Sequence, residues 1–312
     1  MIYNPTAGPR DVRRGLKRVR SYLKRCGWSV ELQMTEKSGD AIALARAAAQ
    51  ASCDVVIAAG GDGTINEAVN GLVGTQTALG VLPVGTGNMW AKQLRMPTYT
   101  LTNPLRLHEA AVGLAEGTIQ AVDVGQVNER YFLCWAGIGL DAQVTAEMEP
   151  RQRRTKRLGV LPYAIAAVLV ARDFQGVRTR VFLDGGIVRG RTLLILVSNI
   201  QQYIGMLSVA REARMDDGLL DVFIFKGLGF SYAVRHLLKL ISQRYLQDPR
   251  VVHRQACHIE VQTEWAIPVQ VDGDPIGTTP VTLKVVPRAL RVLVPPSTPP
   301  GLFISAVQGE ES

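Results

Sequence analysis

Cysteine is sparse in this sequence: Cys26, Cys53, Cys134 and Cys257 are the full complement in 312 residues. No CxxC pair occurs, which argues against a zinc site. The wide scatter fits thiols buried as small apolar groups in a reducing, cytoplasmic setting. Long apolar runs are also missing. The longest, 158–171, spans 14 residues with Pro162 inside it, short of the roughly 20 a membrane span needs. The opening Met1-Ile2-Tyr3-Asn4-Pro5 has neither a basic nor an apolar leader region, so no secretion signal is expected. No internal repeat and no nucleic-acid motif stands out.

What is present is globular composition. Hydrophobic residues make up 47% and charged residues 20%, which excludes wholesale disorder. A length of 312 residues suggests two domains. Lys and Arg total 35 against 27 Asp and Glu, a net charge of +8. Such a surface favours anions: phosphate, nucleic acid or acidic lipid, among which charge alone does not choose.

The first 117 residues alternate strand and helix patterns. Ile2-Tyr3 reads as a short strand. Val12, Leu16, Val19, Leu23 and Cys26 lie on one face of a helix that Gly27 ends. Ser29 to Met34 reads as a strand and Asp40 to Ala51 as a helix. Val55 to Ala59 is apolar throughout, as expected of a strand buried on both faces. Ala78 to Leu82 is a further strand. Such repeats predict a parallel sheet covered by helices. From Thr118 onward strand-length runs dominate: 119–124, 131–135, 177–183, 193–197, 220–225, 261–263, 269–271, 281–286 and 290–294. Helices are expected at 158–171 and 232–246. The expected architecture is an α/β domain over 1–117 with a parallel sheet. A mostly antiparallel β-sandwich over 118–295 and a tail over 296–312 complete it.

Two glycine turns carry the chemistry. Gly60-Gly61-Asp62-Gly63-Thr64 sits where a buried strand hands over to a helix, and Thr64-Ile65-Asn66-Glu67 fits a capping box. Glycines let backbone N–H groups approach an anion, and the helix N-terminus adds positive potential. A tight turn with an ordinary cap is the alternative. Asp62 weighs against it: a carboxylate among phosphates is repulsive unless a metal ion stands between, which points to nucleotide phosphates with Mg²⁺. A second loop, Gly85-Thr86-Gly87-Asn88, follows the next strand in the same way. Ligands of open α/β sheets collect at that edge.

Asn4-Pro5-Thr6-Ala7-Gly8, Gly60 to Glu67 and Gly85 to Asn88 occur in order. Together they resemble the nucleotide-binding half of the diacylglycerol kinase and sphingosine kinase superfamily, particularly the soluble bacterial lipid kinases. Asp123-Val124-Gly125, Ala136 to Asp141, Asp216 to Asp221 and Asp272-Gly273-Asp274 extend the resemblance over about residues 1–295. It implies a kinase that uses Mg²⁺-ATP on a lipid hydroxyl. By position, Asn4, Thr6, Gly60, Gly61, Asp62, Gly63, Thr64 and Thr86 would contact nucleotide or its Mg²⁺, with Thr35 within reach. A structural Mg²⁺ would be held by Asp217 and the carbonyls of Arg214 and Leu219, with Asp123 joined through water. Asp216-Asp217-Gly218 as a plain hairpin turn is the alternative. Asp274, with Asp272 close behind, would supply the general base for in-line attack on the γ-phosphorus. The alternative there is a surface turn with solvated acids. The family's Glu is the shorter Asp274 here, which draws the carboxylate back by roughly 1.5 Å.

One departure stands out: Met89 occupies a position where many relatives carry an Asp. A thioether holds neither Mg²⁺ nor a proton, and Asn88 is free to cap a helix containing Trp90 and Ala91. Two other readings follow: an NAD kinase-like small-molecule kinase built on the shared GGDGT turn, or a non-catalytic nucleotide- or lipid-binding protein. One basic cluster, Arg10 to Arg25, lies in the first helix region, and another, Arg151 to Arg157, directly precedes the apolar segment 158–171. The second, with 158–171, is the better candidate for peripheral docking on the inner face of the membrane; a solvated basic face is the alternative.

Overall fold

The computed structural model describes residues 1–7, 12–84, 88–98, 106–148, 169–203 and 207–304. The chain divides into two compact units: 1–123 with 215–217 and 287–312, and 124–214 with 218–286.

In the first unit, β1 (Ile2–Tyr3) pairs in parallel with both β2 (Gln33–Met34) and β3 (Val55–Gly60). β4 (Ala78–Pro83) runs parallel to β3 along its length, Val55 opposite Ala78 and Gly60 opposite Pro83. Next to β4 lies the end of β15 (Val281–Val294), parallel through Val292 and Leu79. Helices α1 (Arg13–Arg25), α2 (Asp40–Gln50), α3 (Asp62–Leu72), α4 (Met89–Gln93) and α5 (Arg106–Ala115) complete this unit. Of the predicted apolar face of α1, Val12, Leu16, Val19 and Leu23 are buried, each burial stabilising by about 1.5–3 kcal/mol, whereas Cys26, just past the helix end, is exposed. Gly27 follows with φ +89°, the left-handed conformation that ends helices. The expected strand over Ser29 to Met34 shrinks to Gln33–Met34, because two-residue β1 offers ladder partners only there. α5 escaped the sequence reading.

In the second unit the ladders are antiparallel. β14 (Asp274–Thr278) pairs with β13 (Pro268–Val271), and β13 with β7 (Trp135–Gly139). Beyond them lie β9 (Gly186–Ser198), β8 (Val177–Leu183), β12 (His258–Thr263) and the start of β15. β10 (Leu220–Lys226) pairs with β9 and with β11 (Val251–Ala256); β5 (Thr118–Val127) pairs with β6 (Arg130–Phe132). Alternate residues of these strands, Val177, Val181, Ile195, Val197, Val222, Ile259 and Leu283 among them, close one apolar core. The runs 281–286 and 290–294 form one strand, with Arg288 at φ +49°. α6 (Leu140–Met148), β11 and β14 were not expected; α7 (Phe230–Ile241) stands for most of the expected 232–246 helix.

Cys26, Cys53 and Cys257 are exposed and only Cys134 is buried, which corrects the expectation of buried thiols. Of the expected helix at 158–171, residues 158–168 lie outside the described residues, as do the basic cluster 151–157, Arg10 and the loop residues Gly85, Thr86 and Gly87. No helix among the described residues is long and apolar enough to cross a membrane. In the expected tail, Leu302 and Phe303 are buried; the Leu302 carbonyl accepts from the N–H of Met215, and the N–H of Ile304 donates to Asp216 Oδ1 at 2.7 Å.

Candidate functional site

The first glycine turn is shaped by what its neighbours permit. β3 delivers Gly60 beside Thr64, so a Cβ on Gly60 would lie 2.5 Å from Thr64 Oγ1. Gly61 is extended at φ −91° and ψ −174° and precedes α3, which starts at Asp62. Positions 61 and 63 have open space where a Cβ would stand. The turn thus leaves open space beside a helix N-terminus, where an anion can meet backbone N–H groups. Thr64 lies inside the helix and is buried, so the expected capping box with Glu67 does not form. Glu67 instead reaches the start of α2, accepting from the N–H of Gly39 at 2.9 Å, the N–H of Ala41 at 3.1 Å and Ser38 Oγ at 3.2 Å. The glycine turn starts the helix three residues earlier than the pattern suggested, which turns Glu67 toward its neighbour.

Asp62 is half-buried, and its Oδ1 accepts the backbone N–H of Met89 at 2.7 Å. Asn88, fully buried, caps α4 by accepting from the N–H of Ala91 at 3.0 Å, and its Nδ2 donates to the Gly60 carbonyl at 3.4 Å. The start of α4 is therefore stitched to the glycine turn through both residues. Asn4 Oδ1 accepts from Thr6 N at 2.9 Å and Thr6 Oγ1 at 2.8 Å, a side-chain turn that closes the end of β1. Its Nδ2 points to Thr64 Oγ1 at 3.5 Å, and its N–H donates to the Ala59 carbonyl. Thr35 is buried, its N–H donating to the Tyr3 carbonyl at 3.0 Å and its hydroxyl lying 3.5 Å from the same oxygen. Asn4, Thr6, Gly60, Asp62 and Thr64 thus belong to one connected edge at the carboxyl ends of β1 and β3. Thr86 is outside the described residues.

In the second unit the two acids of Asp272-Gly273-Asp274 have different surroundings. Asp272, at φ +48° and only 9% exposed, turns its carboxylate inward. It accepts three backbone N–H groups: Leu133 at 2.8 Å, Cys134 at 2.9 Å and Trp135 at 2.9 Å. A solvated turn is excluded for this residue. Asp274 opens β14, is partly exposed, and accepts from Arg130 Nη2 at 3.2 Å. Behind the turn, buried Asp141 accepts from Tyr203 and from Gln270 Nε2 at 2.6 Å, and Gln270 Oε1 accepts the N–H of Gly273 at 2.8 Å. Gly137 makes room for this network: a Cβ there would lie 1.8 Å from Asp141 Oδ2. Arg130, Asp141 and Gln270 carried no role in the sequence. Asp141 stood in a quoted motif; Arg130 lies 144 positions from its partner, beyond any local pattern.

The candidate metal segment is a bend over 215–218 with Gly218 at φ +73°, not a hairpin turn. Asp216 is buried and bonded to the N–H of Ile304, whereas Asp217 is half-exposed. Asp123 is fully buried; its Oδ1 accepts the N–H of Arg288 at 2.7 Å and its own N–H donates to the Met215 carbonyl. Arg214 is exposed and Leu219 half-buried. No three His, Cys, Asp or Glu side chains among the described residues group around a metal-sized space. One carboxylate with backbone carbonyls and water is still an all-oxygen donor set suited to a hard cation.

Residues 1–127 match the family described as Diacylglycerol kinase catalytic domain. Residues 135–294 match the YegS C-terminal NAD kinase beta sandwich-like domain. A Bacillus subtilis (strain 168) protein named diacylglycerol kinase is 29% identical over 297 residues, covering 95% of each chain. A Staphylococcus aureus (strain bovine RF122 / ET3-1) protein of the same name is 30% identical over 298 residues, 95% of this chain and 91% of the relative. A crystal structure of a diacylglycerol kinase from Bacillus anthracis str. Sterne superposes with a TM-score of 0.77 at 24% identity, covering 95% of this chain and 96% of that one. That last likeness speaks to the fold.

Proposed function

Because this chain belongs to the diacylglycerol kinase family, we propose that it transfers the γ-phosphoryl group of ATP to the hydroxyl of a lipid of the diacylglycerol or sphingoid type. The first unit is the nucleotide-binding part and the second the lipid-substrate part. The observation that carries the reading is the glycine turn: Gly61 and Gly63 leave open space at the start of α3, and Asp62 between them is tied to Met89. Gly60, Gly61, Gly63 and Thr64 cradle phosphate, with Asn4, Thr6 and Thr35 around the nucleotide; for Thr86 the nucleotide contact is only what the resemblance implies. Mg²⁺, when bound, neutralises phosphate charge, and Asp62 is the residue that would hold it.

Asp274 is the better general base of the two acids. It is partly exposed and oriented by one guanidinium, whereas the Asp272 carboxylate is committed to three backbone donors. Asp274 takes the proton as the lipid oxygen attacks; Asp272 and the Asp141–Gln270 pair hold its turn in place. A second Mg²⁺ site at Asp217 with the carbonyls of Arg214 and Leu219 has a structural role. Met89 does not speak against catalysis on this reading, because its backbone N–H, rather than its side chain, engages Asp62. A lipid acceptor fits a cytoplasmic protein that works at the membrane surface.

The test is a panel of lipid alcohols in mixed micelles with labelled ATP and Mg²⁺, the product identified by mass, with NAD as a soluble acceptor. A phosphorylated lipid supports the proposal. Phosphorylation of NAD alone, or nucleotide binding without turnover on any acceptor, refutes it.

A further inference from the structure

Along β8, Val177, Val181 and Leu183 enter the core of the second unit, so Arg178 and Arg180 point outward. β9 sets Arg191 opposite Arg178 and Arg189 opposite Arg180. On the other side of β8, β12 sets Gln262 opposite Arg180, and the N–H of Glu264 donates to the Arg178 carbonyl. These residues line a groove of about 620 Å³ whose lining includes four arginines and one glutamate. Among the described residues none of the four guanidinium groups makes an ion pair or hydrogen bond.

Like charges directly opposite one another across an antiparallel ladder destabilise it. Edge protection does not account for them, since β8 lies between β9 and β12. Solubility alone would be served as well by alternating signs. Arginine is also the cation whose planar fork fits phosphate oxygens in pairs, whereas Gln262 Nε2 is already engaged, donating to Glu260 Oε1 at 2.7 Å. We propose that this groove is a binding site for a phosphate group, carried by a soluble phosphate ester or by the headgroup of an anionic lipid. The site lies on β8, β9, β12 and Glu264 just past it, and does not rest on the kinase reading.

The experiment compares the full chain with an Arg180→Gln/Arg189→Gln variant and with Arg46→Gln/Lys284→Gln, which removes the same charge from exposed positions elsewhere. Pyrophosphate in magnesium-free buffer probes the soluble source by calorimetry. Co-sedimentation with phosphatidylglycerol vesicles, against phosphatidylcholine vesicles, probes the lipid source. The groove variant should bind at least one probe about tenfold or more weaker, as expected when charge-assisted hydrogen bonds are lost, while the control variant binds as the unaltered chain does. Loss confined to pyrophosphate assigns the groove to soluble phosphates; loss on vesicles assigns it to headgroups. Equal binding by all three proteins, equal loss in both variants, or binding of neither probe overturns the proposal. Without anion and at low salt the groove variant should melt no lower than the unaltered chain, because repulsion has been relieved. A lower melting temperature would make the arginines structural and would also overturn it.

Discussion

Asp62 Oδ1 and the backbone N–H of Met89 are joined by a 2.7 Å hydrogen bond across 27 positions of sequence. The residue at 89 therefore contributes to the glycine turn whatever its side chain. Asp62→Ala removes both the acceptor and the charge, whereas Asp62→Asn keeps an acceptor oxygen and removes only the charge. If the charge holds Mg²⁺, both variants lose lipid phosphorylation by about 10²-fold or more. Asn should melt close to the unaltered chain and Ala lower. Turnover assays beside thermal melts decide this; full activity in either variant ends the metal role of Asp62.

Gly60 and Gly61 differ in what surrounds them, so their alanine variants should differ too. Gly60→Ala forces a Cβ to within 2.5 Å of Thr64 and should destabilise the fold. Gly61→Ala meets no protein atom within 4 Å and has no positive φ to strain. It should fold normally yet bind ATP at least about tenfold more weakly, because the methyl fills the space a phosphate approaches. Unchanged ATP affinity, measured by calorimetry, would mean that no ligand comes near Gly61.

The two acids of the second unit should separate by assay. Asp272→Ala leaves the N–H groups of Leu133, Cys134 and Trp135 without their acceptor, at a cost on the order of 3 kcal/mol or more in urea denaturation. Asp274→Asn loses a partly exposed ion pair and should cost less than about 1 kcal/mol, while kcat falls by about 10²–10⁴-fold. The reverse pattern would make Asp272 the base.

His236 gives the fold a pH dependence of stated sign. Its Nε2 donates to the Lys226 carbonyl at 2.9 Å, and its Nδ1 is buried with no partner among the described residues. Burial pushes its pKa below the ordinary 6.5, outweighing the Lys226 carbonyl and the opposing charge of Asp248; Arg235 and Arg250 add to the lowering. The unfolded chain then binds the proton more readily. The contribution of His236 to stability is full above about pH 6.5 and is lost as pH falls through the depressed folded value. Urea midpoints between pH 7.5 and 5 should fall, and His236→Gln should flatten that slope. An unchanged slope would place the acid sensitivity elsewhere.

The residues of the glycine turn were legible because their signal is local: an apolar strand, three glycines and a helix within about a dozen positions. The strand-length run of β8 and the periodicity of α1 were legible for the same reason. Glu67 shows where locality fails. A Thr four positions into the motif and a Glu three later satisfy the capping-box pattern, yet the turn starts α3 at Asp62 and gives Glu67 to α2. β14 is not among the expected strands, and Pro275 and Gly277 are unfavourable within one; it forms because β13 supplies its ladder.

By itself the sequence determined which residues can bear charge, which turns are built of glycine and which faces are apolar, since these depend on side-chain chemistry and short-range periodicity. Tertiary structure alone decided which of the two aspartates flanking Gly273 is spent on backbone donors, which arginine meets the other, and that four arginines share one groove. Those outcomes come from ladder register and from hydrogen bonds that close loops of up to 144 residues, where no local pattern reaches.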